Sequence, residues 1–126
     1  MSRSTSADGL LTVRREARGP AVVMHVAGEV DFGSLGHLHD ELSAAVTAAS
    51  PPAPVVLDLA DVEFFGWCGL TLLVNSDDRC TRNHTPLRVV AASGTVLEPL
   101  RLAGLDHVLP VYADVAAALA RSTSVA

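Results

Sequence analysis

The sequence predicts one α/β domain, a mixed β-sheet with flanking helices in the order ββαβαβαβα, and three observations predict it. Short apolar runs of strand length alternate with stretches whose apolar residues recur at helical spacing. The opening third carries two strand-like runs joined by a tight turn, which adds an antiparallel pair to an otherwise parallel sheet. The chain has 126 residues, 49% of them hydrophobic and 18% charged, the size and balance of a single folded domain.

Each element has a local reason. Leu10 to Glu16 and Pro20 to Val30 read as strands around the Arg18-Gly19-Pro20 turn. From Ser34, taken as N-cap, Leu35, Leu38, Leu42, Ala45, Val46 and Ala49 fall on one helical face that stops at Ser50-Pro51-Pro52. Val55 to Ala60 is a continuous apolar run, the signature of a central strand buried on both faces, with Asp61 to Phe65 as its exit connection. Gly66-Trp67-Cys68-Gly69 leads into a second helix that ends before Pro86. Leu87 to Ala92 is a further strand, Thr95 to Ala103 a short helix ended by Gly104, Val108 to Val111 the last strand, and Asp114 to Arg121 the closing helix. The domain is expected to span 10–121, with 1–9 and 122–126 as flexible ends.

Composition excludes several classes. A net charge of -5 with scattered basic residues, all nine of them Arg, argues against nucleic acid as a partner. No run approaches the ~18 apolar residues of a membrane span, and no signal-peptide core follows the Ser- and Thr-rich start. Cys68 and Cys80 lie on one predicted helix, roughly 18 Å apart at 1.5 Å per residue, beyond the reach of a disulfide. Reduced thiols and a cytoplasmic setting follow.

Catalytic and metal signatures are lacking. The chain has no glycine-rich phosphate loop, no Cys-x-x-Cys and no Gly-x-Ser-x-Gly elbow. His37 and Glu41, one helical turn apart beside Asp40, lack a third ligand and read as a solvated face. His25, His84 and His107 stand alone. The expectation is a non-enzymatic protein with neither metal nor cofactor.

A docking surface is the more informative candidate. With Leu70 at the centre of the buried stripe of the second helix, Leu72 points nearly the opposite way. Around it lie Thr71, Asn75, Ser76 and Arg79, so one apolar residue has a polar rim, the make-up of an interface centre. Trp67, the chain's one Trp, opens the same helix, and Trp is enriched among interface anchors. The alternative is that Trp67 folds back over Phe32 or Phe65 as cover for the core. Asp77 falls within the buried stripe without an evident partner, Arg82 and Arg101 being the candidates.

Three segments together resemble a known family. Gly28-Glu29-Val30-Asp31 precedes an amphipathic helix. Val55-Val56-Leu57-Asp58-Leu59-Ala60-Asp61-Val62-Glu63-Phe64-Phe65 precedes Cys68-Gly69-Leu70. Leu102-Ala103-Gly104-Leu105-Asp106-His107-Val108 precedes Pro110-Val111-Tyr112. In this order and spacing, across about Leu10 to Leu119, they resemble the STAS (sulfate transporter and anti-sigma factor antagonist) pattern. The resemblance implies a small α/β domain that binds an anti-sigma factor, an ATP-binding kinase-like protein, and so frees a sigma factor. It also places Asp31 beside the second helix on the same partner-binding surface.

Regulated members carry Asp-Ser-Ser-Gly-Leu before that helix and are phosphorylated on the first Ser. Here the segment reads Gly66-Trp67-Cys68-Gly69-Leu70, so an indole, which has no hydroxyl, occupies the acceptor position. The phosphorylation switch is absent from its usual place; Thr71 lies inside the helix, where a kinase would have to unwind the chain. Cys68 is a redox candidate, because a thiol in the first turn of a helix faces unsatisfied N–H groups that stabilise its thiolate; buried and inert is its other reading. Besides the anti-sigma factor antagonist, the resemblance leaves open a subunit docking a transporter ATPase or a stress-signalling assembly, and a small-molecule sensor. Oligomeric state is not legible in the sequence.

Overall fold

The structure is a computed structural model that describes residues 2–120. Six strands form one sheet in chain order. Strands β1 (Ser2–Thr5), β2 (Leu11–Arg18) and β3 (Ala21–Val30) are antiparallel neighbours. Strands β4 (Val55–Phe65), β5 (Leu87–Val90) and β6 (Val111–Tyr112) then continue parallel to β3. Helices α1 (Phe32–Ala48), α2 (Trp67–Arg82) and α3 (Gly94–Leu102) contribute to the main core on one face of the sheet, and α4 (Val115–Ala120) packs on the other. This is the predicted mixed sheet with flanking helices, preceded by one strand more.

That strand falls where a flexible end was expected. Ser2–Thr5 is polar throughout, so it carries no apolar periodicity, yet it pairs with Thr12 to Arg15 as an exposed edge. Buried Ser6 closes the loop that follows: its Oγ accepts from Leu11 N at 3.1 Å and donates to Asp8 Oδ1 at 2.5 Å.

Other boundaries move for local reasons. The cap of α1 is Asp31, not Ser34: Asp31 Oδ1 accepts from Ser34 N at 3.1 Å, and Ser34 Oγ accepts from Asp31 N at 3.1 Å, a reciprocal capping box. Strand β4 runs on through the expected connection to Phe65, still paired with β3, and a register shift that skips exposed Glu63 lets both Val62 and Phe65 be buried. Helix α3 covers Gly94–Leu102, one residue earlier than expected. After Gly104, at φ 72°, Leu105–His107 forms a 3-10 turn, so the last strand is shortened to Val111–Tyr112. Asp114 caps α4, accepting from Ala117 N at 2.7 Å. Arg121 and the expected flexible end 122–126 lie outside the described residues.

The core sits between the sheet and the three helices. Leu57 lies in register between Met24 and Val89, all three fully buried, beneath Leu38 of α1, Leu73 of α2 and Leu100 of α3. Burying each such side chain contributes about 1.5–3 kcal/mol. One glycine is forced by close approach: Gly28 has φ 104°, and a Cβ there would stand 1.9 Å from the Leu10 carbonyl oxygen, which accepts from Glu29 N. The opposite face is smaller. Val23, Val56 and Val90 pack on Ala118, and buried Arg88 donates from Nη1 to the Ala118 carbonyl at 2.6 Å. His25, expected to stand alone, bridges Asp58 Oδ2 at 2.8 Å and Glu16 Oε1 at 3.2 Å, and its hydrogen bond holds the Glu16 carboxyl below the usual range.

Candidate partner-docking site

Parallel pairing puts the starts of α1 and α2 at the same end of the sheet. Val30 and Phe65 are register partners, and Gly66 N donates to the Val30 carbonyl at 2.9 Å, so the two helix entries are tied together. Gly69 lets α2 sit down on Phe65, since a Cβ there would stand 2.7 Å from the ring. Trp67, first residue of α2, is left 71% exposed and Phe32, first residue of α1, 87% exposed. The indole therefore does not serve as cover for the core. Phe64, at 51%, adds a third exposed ring on the end of β4.

Between the helices runs a groove of about 680 Å³ whose lining includes Phe32, Leu35, Trp67, Cys68, Thr71 and Asn75. Leu72 needs a correction. It is 7% exposed and belongs to the core, and Ser76 one turn on is buried too, so Leu72 forms the groove's floor and is not an exposed centre. The reason is that α1 lies alongside α2: Arg79 Nη1 reaches Ser43 Oγ of α1 at 2.5 Å, and the flank bearing Leu72 and Ser76 faces that contact. A helix packed on a sheet and a neighbour buries a wider arc than one stripe.

The remaining site residues are accounted for. Asp31 is half-buried as the α1 cap; Thr71 and Asn75 are exposed on the groove wall. Cys68 is half-buried in the same wall, whereas Cys80 is buried and its thiol is pushed up to about 11 by desolvation; both are free. Asp77 is raised by burial and by the neighbouring Asp78. Neither expected partner reaches it, since Arg82 pairs with Asp78 at 3.2 Å and Arg101 with Glu98 at 2.8 Å. His37 accepts or shares a hydrogen bond with Ser4 Oγ at 2.8 Å, and among the described residues no group of three His, Cys, Asp or Glu side chains is placed to hold a metal.

Sequence reasoning missed Phe32 and Phe64 as surface residues. Phe64-Phe65 carried a signal: on a strand, adjacent side chains face opposite ways, so one ring had to point outward. Phe32 carried none, because its exposure depends on Asp31 capping the helix.

The structure thus shows an apolar groove between the starts of α1 and α2, with the Trp67 indole exposed at its edge. The STAS domain family matches residues 12–118. The chain belongs to that family. It is 28% identical over 118 residues to the anti-sigma-F factor antagonist RsfA of Mycobacterium tuberculosis, covering 94% of this chain and 92% of that protein. The crystal structure of an anti-sigma factor antagonist from Mycobacterium paratuberculosis superposes with a TM-score of 0.80 at 33% identity, covering 92% of this chain and 96% of that one. Phosphorylated SpoIIAA of Bacillus shares the fold, with a TM-score of 0.63 at 16% identity over 84% of this chain and 96% of that one. Among the described residues of this STAS domain, no helix is long and apolar enough to cross a membrane.

Proposed function

We propose that this STAS domain is a cytoplasmic, non-enzymatic anti-sigma factor antagonist that docks a kinase-like anti-sigma factor through the Phe32–Trp67 corner, and so frees a sigma factor. The observation that carries this reading is the exposed indole at the start of α2, beside a still more exposed Phe32, over an apolar groove. Large aromatic side chains left in water are costly in a free monomer and gain most from a partner that covers them. The names of the relatives supply the partner class.

Trp67 also defines the regulation. With no hydroxyl at the head of α2, the antagonist is not silenced by phosphate there. Asp31, Cys68, Thr71, Asn75 and Arg79 complete the docking face, with Leu72 supporting it from beneath.

The test is calorimetric titration of the purified chain against each anti-sigma factor of its source genome, with release of the bound sigma factor followed by gel filtration. Binding by one of them, with no transfer of labelled phosphate from ATP to the chain, is the expected result. Failure of every anti-sigma factor to bind ends the proposal.

A further inference from the structure

Charge is unevenly placed in this chain. No Lys or Arg lies between Arg18 and Arg79, a span that holds most of the 14 acidic residues. Four carboxylates stand at the same end of the sheet as the exposed rings. Glu29 is the register partner of Phe64, Glu63 precedes it, Asp31 caps α1, and Asp8 leans over the start of that helix. A Cβ on Gly33 would lie 2.8 Å from Asp8 Oδ2 and 3.4 Å from Asp31 Oδ1, so two carboxylates converge beside Phe32. Hydrogen bonds from Ser6 and Leu10 hold the Asp8 carboxyl below its ordinary range, which keeps it ionised. Among the described residues, none of these four makes an ion pair. The uncapped start of α2 offers about half a positive charge, too little to offset four carboxylates.

Resting on the docking reading above, we infer that the face of the anti-sigma factor seated on this corner is an apolar recess ringed by Lys and Arg, and that the acidic rim selects and steers it. A second copy of this chain would bring like-charged rims together, and an anionic lipid surface or nucleic acid would be repelled. Unpaired carboxylates around an apolar centre fit a basic partner and disfavour these others.

Two measurements test it. Trp67 is the chain's one Trp, so its fluorescence reports the potential at the corner without any partner. Relative to free N-acetyltryptophanamide in low salt, iodide should quench it at least about twofold less well than caesium, and Asp31→Asn with Glu63→Gln should narrow the gap. Asn keeps the cap, so the fold is preserved. Equal quenching by the two ions overturns the inference. In the second, the Kd for the anti-sigma factor found by titration should weaken roughly tenfold between 50 and 300 mM NaCl. A salt-independent Kd, with binding still lost in Trp67→Ala, overturns this inference and leaves the docking reading standing. Absence of any binding overturns both, as does a homodimer in sedimentation that Trp67→Ala dissolves.

Discussion

Truncating Trp67 to Ala removes the anchor while touching almost nothing in the free fold. Its side chain is 71% exposed, and a residue of this size buries up to about 250 Å², so about 180 Å² remains for a partner to cover. At ~25 cal/mol per Å² that area is worth about 4.5 kcal/mol as a ceiling. Ordering and desolvation on association reduce it, and anchors of this kind cost about 2 kcal/mol or more when truncated. The expected weakening of Kd is therefore roughly 30-fold to 1,000-fold. Calorimetric titration against the anti-sigma factor reads it, with thermal unfolding of the free chain as control, expected to change by less than about 0.5 kcal/mol. A variant that binds within about threefold of the parent refutes the reasoning, because the exposed indole would then lie outside the interface.

Three further predictions concern the fold. Gly28→Ala should cost more than about 3 kcal/mol in urea unfolding, since the added methyl meets the Leu10 carbonyl at 1.9 Å in a backbone region disfavoured for L side chains; an unchanged midpoint contradicts the close approach. Burial raises the Cys80 thiol from 9.0 to about 11, so the folded state favours the protonated form: the stability this gives is complete below pH 9 and lost as pH climbs toward 11, by about 3 kcal/mol, a slope that Cys80→Ala should lack. Asp77 is raised by desolvation, so its charged form opposes folding. Asp77→Asn should raise the thermal midpoint at pH 7 and lose that advantage in acid where the parent's Asp77 is protonated; equal effects at both pH values would show that another contact is responsible.

The sheet and its helices were legible because β3 and β4 carry continuous apolar runs and the inward residues of α1 and α2 recur at helical spacing, and both patterns are local. What escaped was set by neighbours in space. Polar Ser2–Thr5 becomes a strand only because β2 offers it an open edge. The Asp31–Ser34 capping box moved the start of α1 by three residues and thereby turned Phe32 outward. Leu72 was misplaced for the complementary reason: a helical wheel locates one buried face, and α1 buries a second. Trp67 could be placed at the head of α2 from sequence, but whether its ring lay in the core or in water depended on how Gly69 sits on Phe65.

On the proposed reading, the exchange of a serine for Trp67 alters what can control the complex. A serine contributes little contact area, and its phosphate would add close to two negative charges at the head of α2, a large change at one point. An indole does the opposite: it supplies much of the apolar contact and has no protonation or phosphorylation state to alter. With no switch at the indole, occupancy of the partner follows from the concentrations of the two proteins by mass action. On that reading control falls to the amount of chain present or to oxidation or thiol capping of Cys68, which lines the same groove as the indole.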